Sequence, residues 1–228
     1  MDAGIGQVTA ALKGMGLWDD TLVLLNADHG EAFGEYGLYY HSHSLYEEEV
    51  RVPCIIKPPR SRTPGRMIPG LVRNMDMPMT ILDYCSVTEP KDVQGFSLRP
   101  FIESGEIPRL PSCLETHSTQ KKRHLMAYRT ARHKLIYQLS PAEAELYDLQ
   151  IDPGERNDLL KAGPADEPPA AGDPKPGGSP GAEDLEETLR AGMLAALGAG
   201  SLDELEPGPD TAMDPQTRER LKALGYIE

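Results

Sequence analysis

Asp28-His29-Gly30 is the segment of this sequence best suited to chemistry. A carboxylate and an imidazole stand side by side directly after the apolar run Thr21 to Ala27, and an Asp oxygen with a His nitrogen is a workable pair of divalent-metal ligands. His41 and His43 follow at alternate positions of a stretch expected to be extended, so both side chains are expected on one side. For an anionic ester such a group has a clear use: a metal ion fixes an oxygen and polarises the centre, while imidazolium groups bind the anion or protonate the leaving oxygen. The same residues also fit plainer roles. Asp-His-Gly occurs as a turn whose Asp caps a helix, and His41 and His43 fit solvated loop positions. Glu47, Glu48 and Glu49 look like a metal-binding run, but acids at the start of a helix are favoured by its dipole, and that reading is preferred. His117, His124 and His133 are expected to be surface residues without chemistry, and Lys121-Lys122-Arg123 a solvated turn.

The elements that position these groups are legible around them. Ile5, Val8, Leu12 and Met15 recur at helical spacing over residues 2 to 16, with Asp2 as the N-cap. Residues 21 to 27 are short and continuously apolar, which predicts a strand buried on both faces. The Asp-His turn then falls at the strand's C-terminal end, the edge where open α/β sheets bind ligands. Leu45 to Glu49 predict a short helix, Val52 to Lys57 a second apolar strand with Pro53 near its start, and Asp76 to Tyr84 a helix with Met77, Ile81 and Leu82 inward. Between 111 and 148 the pattern shortens to an antiparallel hairpin of residues 125 to 130 and 134 to 138, followed by Glu145 to Leu149.

The chain has 228 residues, with 36 acidic against 23 basic side chains, so a basic nucleic-acid groove is not expected. No run of about 18 apolar residues is present to span a bilayer. Met1 to Gln7 lack the basic and apolar regions of a signal peptide, and no compartment is assigned. Cys54, Cys85 and Cys113 form no C-x-x-C pair and are expected to be buried thiols. Residues 162 to 182 hold six Pro and five Gly without one large apolar side chain, which predicts a disordered insertion. Leu185, Leu189, Met193 and Leu197 form a helical stripe beyond it, and residues 215 to 225 a last short helix.

Read in order, longer blocks carry a family signature. They are Thr21-Leu22-Val23, Asp28-His29-Gly30-Glu31, Gly34-Glu35-Tyr36-Gly37, His43-Ser44-Leu45-Tyr46-Glu47-Glu48, Arg51-Val52-Pro53 and Ile55 to Pro59. Asp76 to Asp83, Gly95 to Leu98, Arg129-Thr130, His133 to Ile136, Glu145 to Leu149, Asp152-Pro153-Gly154-Glu155, Asn157 and Leu221 to Tyr226 continue the series. Together they closely resemble the C-terminal half of the sulfatase family of the alkaline-phosphatase-like superfamily. The resemblance implies an α/β fold: a partial mixed sheet with flanking helices over 1–105, a small antiparallel subdomain over 106–161, the insertion at 162–182 and C-terminal helices over 183–228.

It also implies a reaction, hydrolysis of a sulfate ester such as a sulfated carbohydrate. Asp28 and His29 are the implied metal ligands, His43 stands near the sulfate, and His41 replaces the Lys that many members carry before that His, where this chain has Ser42. The implied ion is divalent, calcium first, with magnesium and manganese as alternatives. In the family a Cys or Ser within Cys/Ser-x-Pro-x-Arg becomes the formylglycine nucleophile, and no such motif occurs in these residues. The chain alone is therefore expected to be inactive and to pair with an N-terminal half. The alternatives are a phosphoryl or phosphonate ester hydrolase of the same superfamily, and a non-catalytic interaction module.

Overall fold

A computed structural model describes residues 1–61, 65–88, 90–91, 93–118, 123–161 and 181–205. The predicted insertion lies outside the described residues except for Gly181 and Ala182, and the helix predicted at 215–225 lies outside them entirely.

Helix α1 spans Asp2–Gly14, with Met1 rather than Asp2 at its N-cap. Its apolar stripe meets no core: Ile5, Val8 and Met15 are all exposed, Val8 by 63%. Strand β1, Val23–Asn26, pairs antiparallel with β4, Cys54–Lys57, and the two form a sheet of two strands. β1 is half-buried rather than enclosed on both faces, because among the described residues it pairs with β4 alone. A small ribbon, β2 (Ala32–Phe33) against β3 (Tyr39–Tyr40), and the four-residue helix α2, Glu47–Val50, lie between them in sequence. Pro53 precedes β4, where its missing N–H breaks no ladder bond.

Helix α3, Asp76–Tyr84, buries Asp76, Met77, Met79 and Thr80. Ile81, expected inward, is exposed, and Met79 takes the inward position. Two buried polar groups explain the orientation. Asp76 accepts from Arg73 Nη2 at 2.8 Å and from the Phe96 N–H at 3.2 Å, and the Thr80 hydroxyl accepts the Leu98 N–H at 2.9 Å. Helix α4, Arg99–Ser104, follows and ends at Gly105 in the left-handed region.

The core lies in the second part of the chain. β5 (Ser112–Ser118), β6 (Arg123–Arg129), β7 (His133–Gln138) and β8 (Glu143–Asp148) form a four-stranded antiparallel sheet in sequence order. The predicted hairpin is its centre; β5 was not foreseen, because Ser112 to Ser118 alternate too few apolar residues to announce a strand. Both faces are covered, and period-two alternation sorts the side chains. Leu125, Ala127, Ile136 and Tyr147 pack against Leu45 and the half-buried Tyr46 and Val50. Leu135, Leu146, Met126 and Leu139 pack on the other face against Ala182, Leu189 and Met193 of helix α5, Ala182–Leu197. Gly192 permits this approach, since a Cβ there would come within 3.0 Å of the Tyr128 ring. Leu197, at the end of the predicted stripe, is exposed.

Two further expectations are corrected. Cys54 and Cys85 are exposed thiols and Cys113 is half-buried; all are free. His124 is not a surface residue: it is buried in β6, and its Nε2 lies 2.6 Å from Glu115.

Candidate metal and anion site

At the C-terminal end of β1 the backbone is fixed before the candidate ligands begin. Asn74 Nδ2 donates to the carbonyls of Ala27 and Asp28, both at 3.1 Å, and Asn26 donates to Asn74 Oδ1 at 2.8 Å. The Gly30 N–H donates to the Glu49 carbonyl at 2.7 Å. Only glycine fits there, because a Cβ at residue 30 would stand 2.0 Å from the Glu48 carbonyl oxygen.

Within this frame the Asp28 and His29 side chains share one edge. His29 Nε2 and Asp28 Oδ2 are 3.9 Å apart. Two atoms bonded to one ion at about 2.0–2.2 Å each stand at most about 4.4 Å apart, so the pair can bracket a single divalent ion. His29 Nδ1 lies 2.8 Å from the Gly30 carbonyl. A carbonyl only accepts, so Nδ1 carries the proton and Nε2 keeps its lone pair, which is how proteins orient a metal-binding imidazole. Asp28 is fully exposed, and the bond from the His29 N–H holds its carboxyl below the usual range, ionised for a cation.

Two further groups gather around His29, in a cluster of three that does not include Asp28. The side chains of His29, Glu31 and His41 offer ligand atoms within 4.8 Å of one another, a potential divalent-metal site. Glu31 lies 3.4 Å from His41 Nδ1, and the His29 and His41 rings are 4.1 Å apart. Glu31 was not foreseen as a ligand. It stands on the turn into the β2–β3 ribbon, and only the folding of that ribbon returns His41 to it.

His41 and His43 do not sit on one face of an extended strand. β3 stops at Tyr40, and Tyr40 and Ser42 both have positive φ, so the chain bends through this stretch. His41 turns towards His29. His43 is half-buried, and its Nδ1 is enclosed without a hydrogen-bond partner among the described residues. The acids of residues 47 to 49 do more than answer a helix dipole. Glu49 is buried and accepts the His43 N–H at 3.1 Å and the Ser44 hydroxyl at 2.8 Å. Glu47 pairs with Arg129 at 3.1 Å and Lys134 at 3.2 Å.

Beside the Asp28-His29 turn opens a cleft of about 1440 Å³, lined by Ser42, Lys57, Arg66, Arg73 and Arg129 among others. It exceeds the ~300–1,000 Å³ usual for a small-molecule pocket, so it has room for a polypeptide segment as well as a ligand. Among the described helices none is long and apolar enough to cross a membrane.

Comparison with known proteins bears on the family and the fold. The family model "N-sulphoglucosamine sulphohydrolase, C-terminal" matches residues 34–167. The chain is 32% identical over 174 residues to an N-acetylglucosamine-6-O-sulfatase of Bacteroides thetaiotaomicron, which covers 70% of this chain and 30% of that protein. It is 29% identical over 176 residues to a choline-sulfatase of Rhizobium meliloti, covering 73% and 33%. Among solved structures, one in complex with its substrate D-glucosamine-2-N,6-O-disulfate superposes with a TM-score of 0.74 at 26% identity, covering 90% of this chain and 40% of that one. A phosphonate monoester hydrolase of Silicibacter pomeroyi superposes with a TM-score of 0.65 at 27% identity, covering 85% and 38%. The chain thus spans about a third of the length of the curated relatives. Its fold is the mixed α/β fold of alkaline-phosphatase-like sulfatases, with helices flanking a central sheet. With its ordered motifs, its Asp-His edge and a family match over more than half its length, the chain belongs to the sulfatase family, as its C-terminal part.

Proposed function

We propose that this chain supplies the metal-binding and anion-facing part of a sulfatase-type hydrolase. The observation that carries the reading is the convergence of His29, Glu31 and His41 beside Asp28 at a strand's C-terminal end. In this reading Asp28 and His29 hold the ion, Glu31 and His41 complete or orient its shell, and His43 faces the sulfate. A divalent ion bound there would neutralise ester oxygens. Calcium is the ion implied by the family resemblance and suits the carboxylates; the two imidazoles suit zinc-like ions better, so competition among ions is informative. The nucleophile is a formylglycine on a segment outside these 228 residues, and the exposed face of α1 with the β1–β4 sheet is where that segment packs. Domain limits at 105, 161 and 182 belong to the same proposal. The substrate class is a sulfated sugar, supported by the glucosamine sulfate ligand of one structural relative. Phosphonate ester hydrolysis is the second reading, supported by the likeness to a phosphonate monoester hydrolase.

The test is reconstitution. The chain is co-expressed with the N-terminal segment of the Bacteroides relative, which is assayed for sulfate release from glucosamine-6-sulfate and for hydrolysis of a phosphonate monoester. Sulfate release that disappears with Asp28→Asn is expected. Equal release with and without Asp28 would remove the metal role, and hydrolysis of the phosphonate alone would favour the second reading.

A further inference from the structure

The Asp152-Pro153-Gly154-Glu155 motif takes no part in the site as described, yet it reaches the loop that carries His41 and His43. We propose that this turn is a clamp that sets the span of the 36–47 loop, with Glu155 and Tyr36 as positioning residues for the two imidazoles.

Both ends of the loop are held by adjacent residues of the turn. At one end the Tyr36 hydroxyl donates to the Gly154 carbonyl. At the other, Glu155 Oε2 accepts the Glu47 N–H at 2.6 Å, satisfying a donor at the start of α2. The loop is also closed on itself, since the Tyr36 and Tyr46 rings stack with centroids 4.5 Å apart. Tyr46 is fixed in turn from β8, donating to Glu145 at 2.9 Å.

The turn is rigid enough to act as a reference. It leaves β8 directly: the Asp152 N–H donates to the Asp148 carbonyl at 2.9 Å, and the Asp152 carboxylate accepts the Asn157 N–H at 2.8 Å. Glu155 has a φ of 52°, a left-handed conformation that a non-glycine residue keeps only when its surroundings demand it. Here the demand is an ion pair: the fully buried Lys134 ammonium lies 2.8 Å from Glu155 and 3.2 Å from Glu47. One buried cation of β7 thus ties the turn to α2. His41 and His43 lie between the clamped ends, in a stretch with positive φ at Gly37, Tyr40 and Ser42 that is otherwise held by the β2–β3 ribbon and by Glu49.

This inference rests on the proposed site for its meaning, but its test does not require a metal. Imidazole ¹H–¹⁵N correlations are recorded for the full chain and for Tyr36→Phe and Glu155→Gln, with thermal melting alongside. Tyr36→Phe removes one hydroxyl from a half-exposed ring and is expected to leave melting nearly unchanged. The clamp predicts displaced His41 and His43 signals in both variants, with His117 and His124 unmoved as an internal reference. Co²⁺ affinity should also fall about tenfold, the usual size of an outer-shell effect. If Glu155→Gln does not fold, Tyr36→Phe decides. Wild-type His41 and His43 signals in a folded variant would overturn the clamp. Failure of the wild-type chain to bind Co²⁺ would count against the metal site alone, because the imidazole signals still report on the loop.

Discussion

The two parts of this chain solve the burial problem differently. The sheet β5–β8 covers one face with Leu45, Tyr46 and Val50 and the other with α5, and its central residues Ala127, Leu135 and Leu146 have no exposed surface. The β1–β4 sheet has two strands, Ile55 on it is 61% exposed, and α1 buries nothing. Among the described residues these apolar stripes meet no partner, and apolar faces of this kind are normally covered. The better buried half holds the other in place: Glu47 and the loop before it are tied to Arg129, Lys134 and Glu155. The proposed site sits on the less buried part.

The largest effect that could break this contrast is at Lys134. Its ammonium is fully buried between two carboxylates, so Lys134→Met leaves the buried Glu155 without its cation, while Glu47 keeps Arg129 alone. A loss of about 3–5 kcal/mol in urea unfolding is expected. A loss below 1 kcal/mol would mean that the better buried half does not depend on its buried ions.

A smaller effect follows pH. Arg132 bonds Asp148 at 2.6 and 2.9 Å and holds its carboxyl below the ordinary value of 3.8. With a folded pKa below the unfolded one, this stabilisation is complete above the unfolded value and is lost as pH falls through the folded value. Asp148→Asn should therefore flatten the acid limb of the stability profile and change its shape little near neutrality. A similar acid limb in both proteins would assign it elsewhere.

The smallest stability effect is expected at Val8, which touches no core. Val8→Ser should change unfolding free energy by no more than about 0.5 kcal/mol while raising solubility, read by light scattering of concentrated chain. Marked destabilisation would show that α1 is already packed.

What the sequence made legible divides along the same line. Continuous apolar runs and short hairpin periods announced β1, β4, β6 and β7, because each carries its pattern within its own few residues. Burial was not legible for the first part: an apolar strand reads as enclosed whether or not a partner sheet is there, and Cys54 on β4 reached the surface for that reason. At the proposed site, the adjacency of Asp28 and His29 at a strand end was readable in the sequence. Glu31 was missed, since its nearness to His41 arises from a ribbon only two residues long on each side. Glu49 and Glu155 were hidden more deeply. Their roles depend on hydrogen bonds to backbone N–H groups, and no residue pattern reports where those groups point.

Binding of one divalent ion by the chain itself tests the central claim most directly. Equilibrium dialysis against Mn²⁺, Ca²⁺ and Co²⁺ should give one saturable site per chain, lost in His29→Ala and strongly weakened in Asp28→Asn. No saturable binding, or binding indifferent to both substitutions, would contradict the assignment of this edge as a metal site.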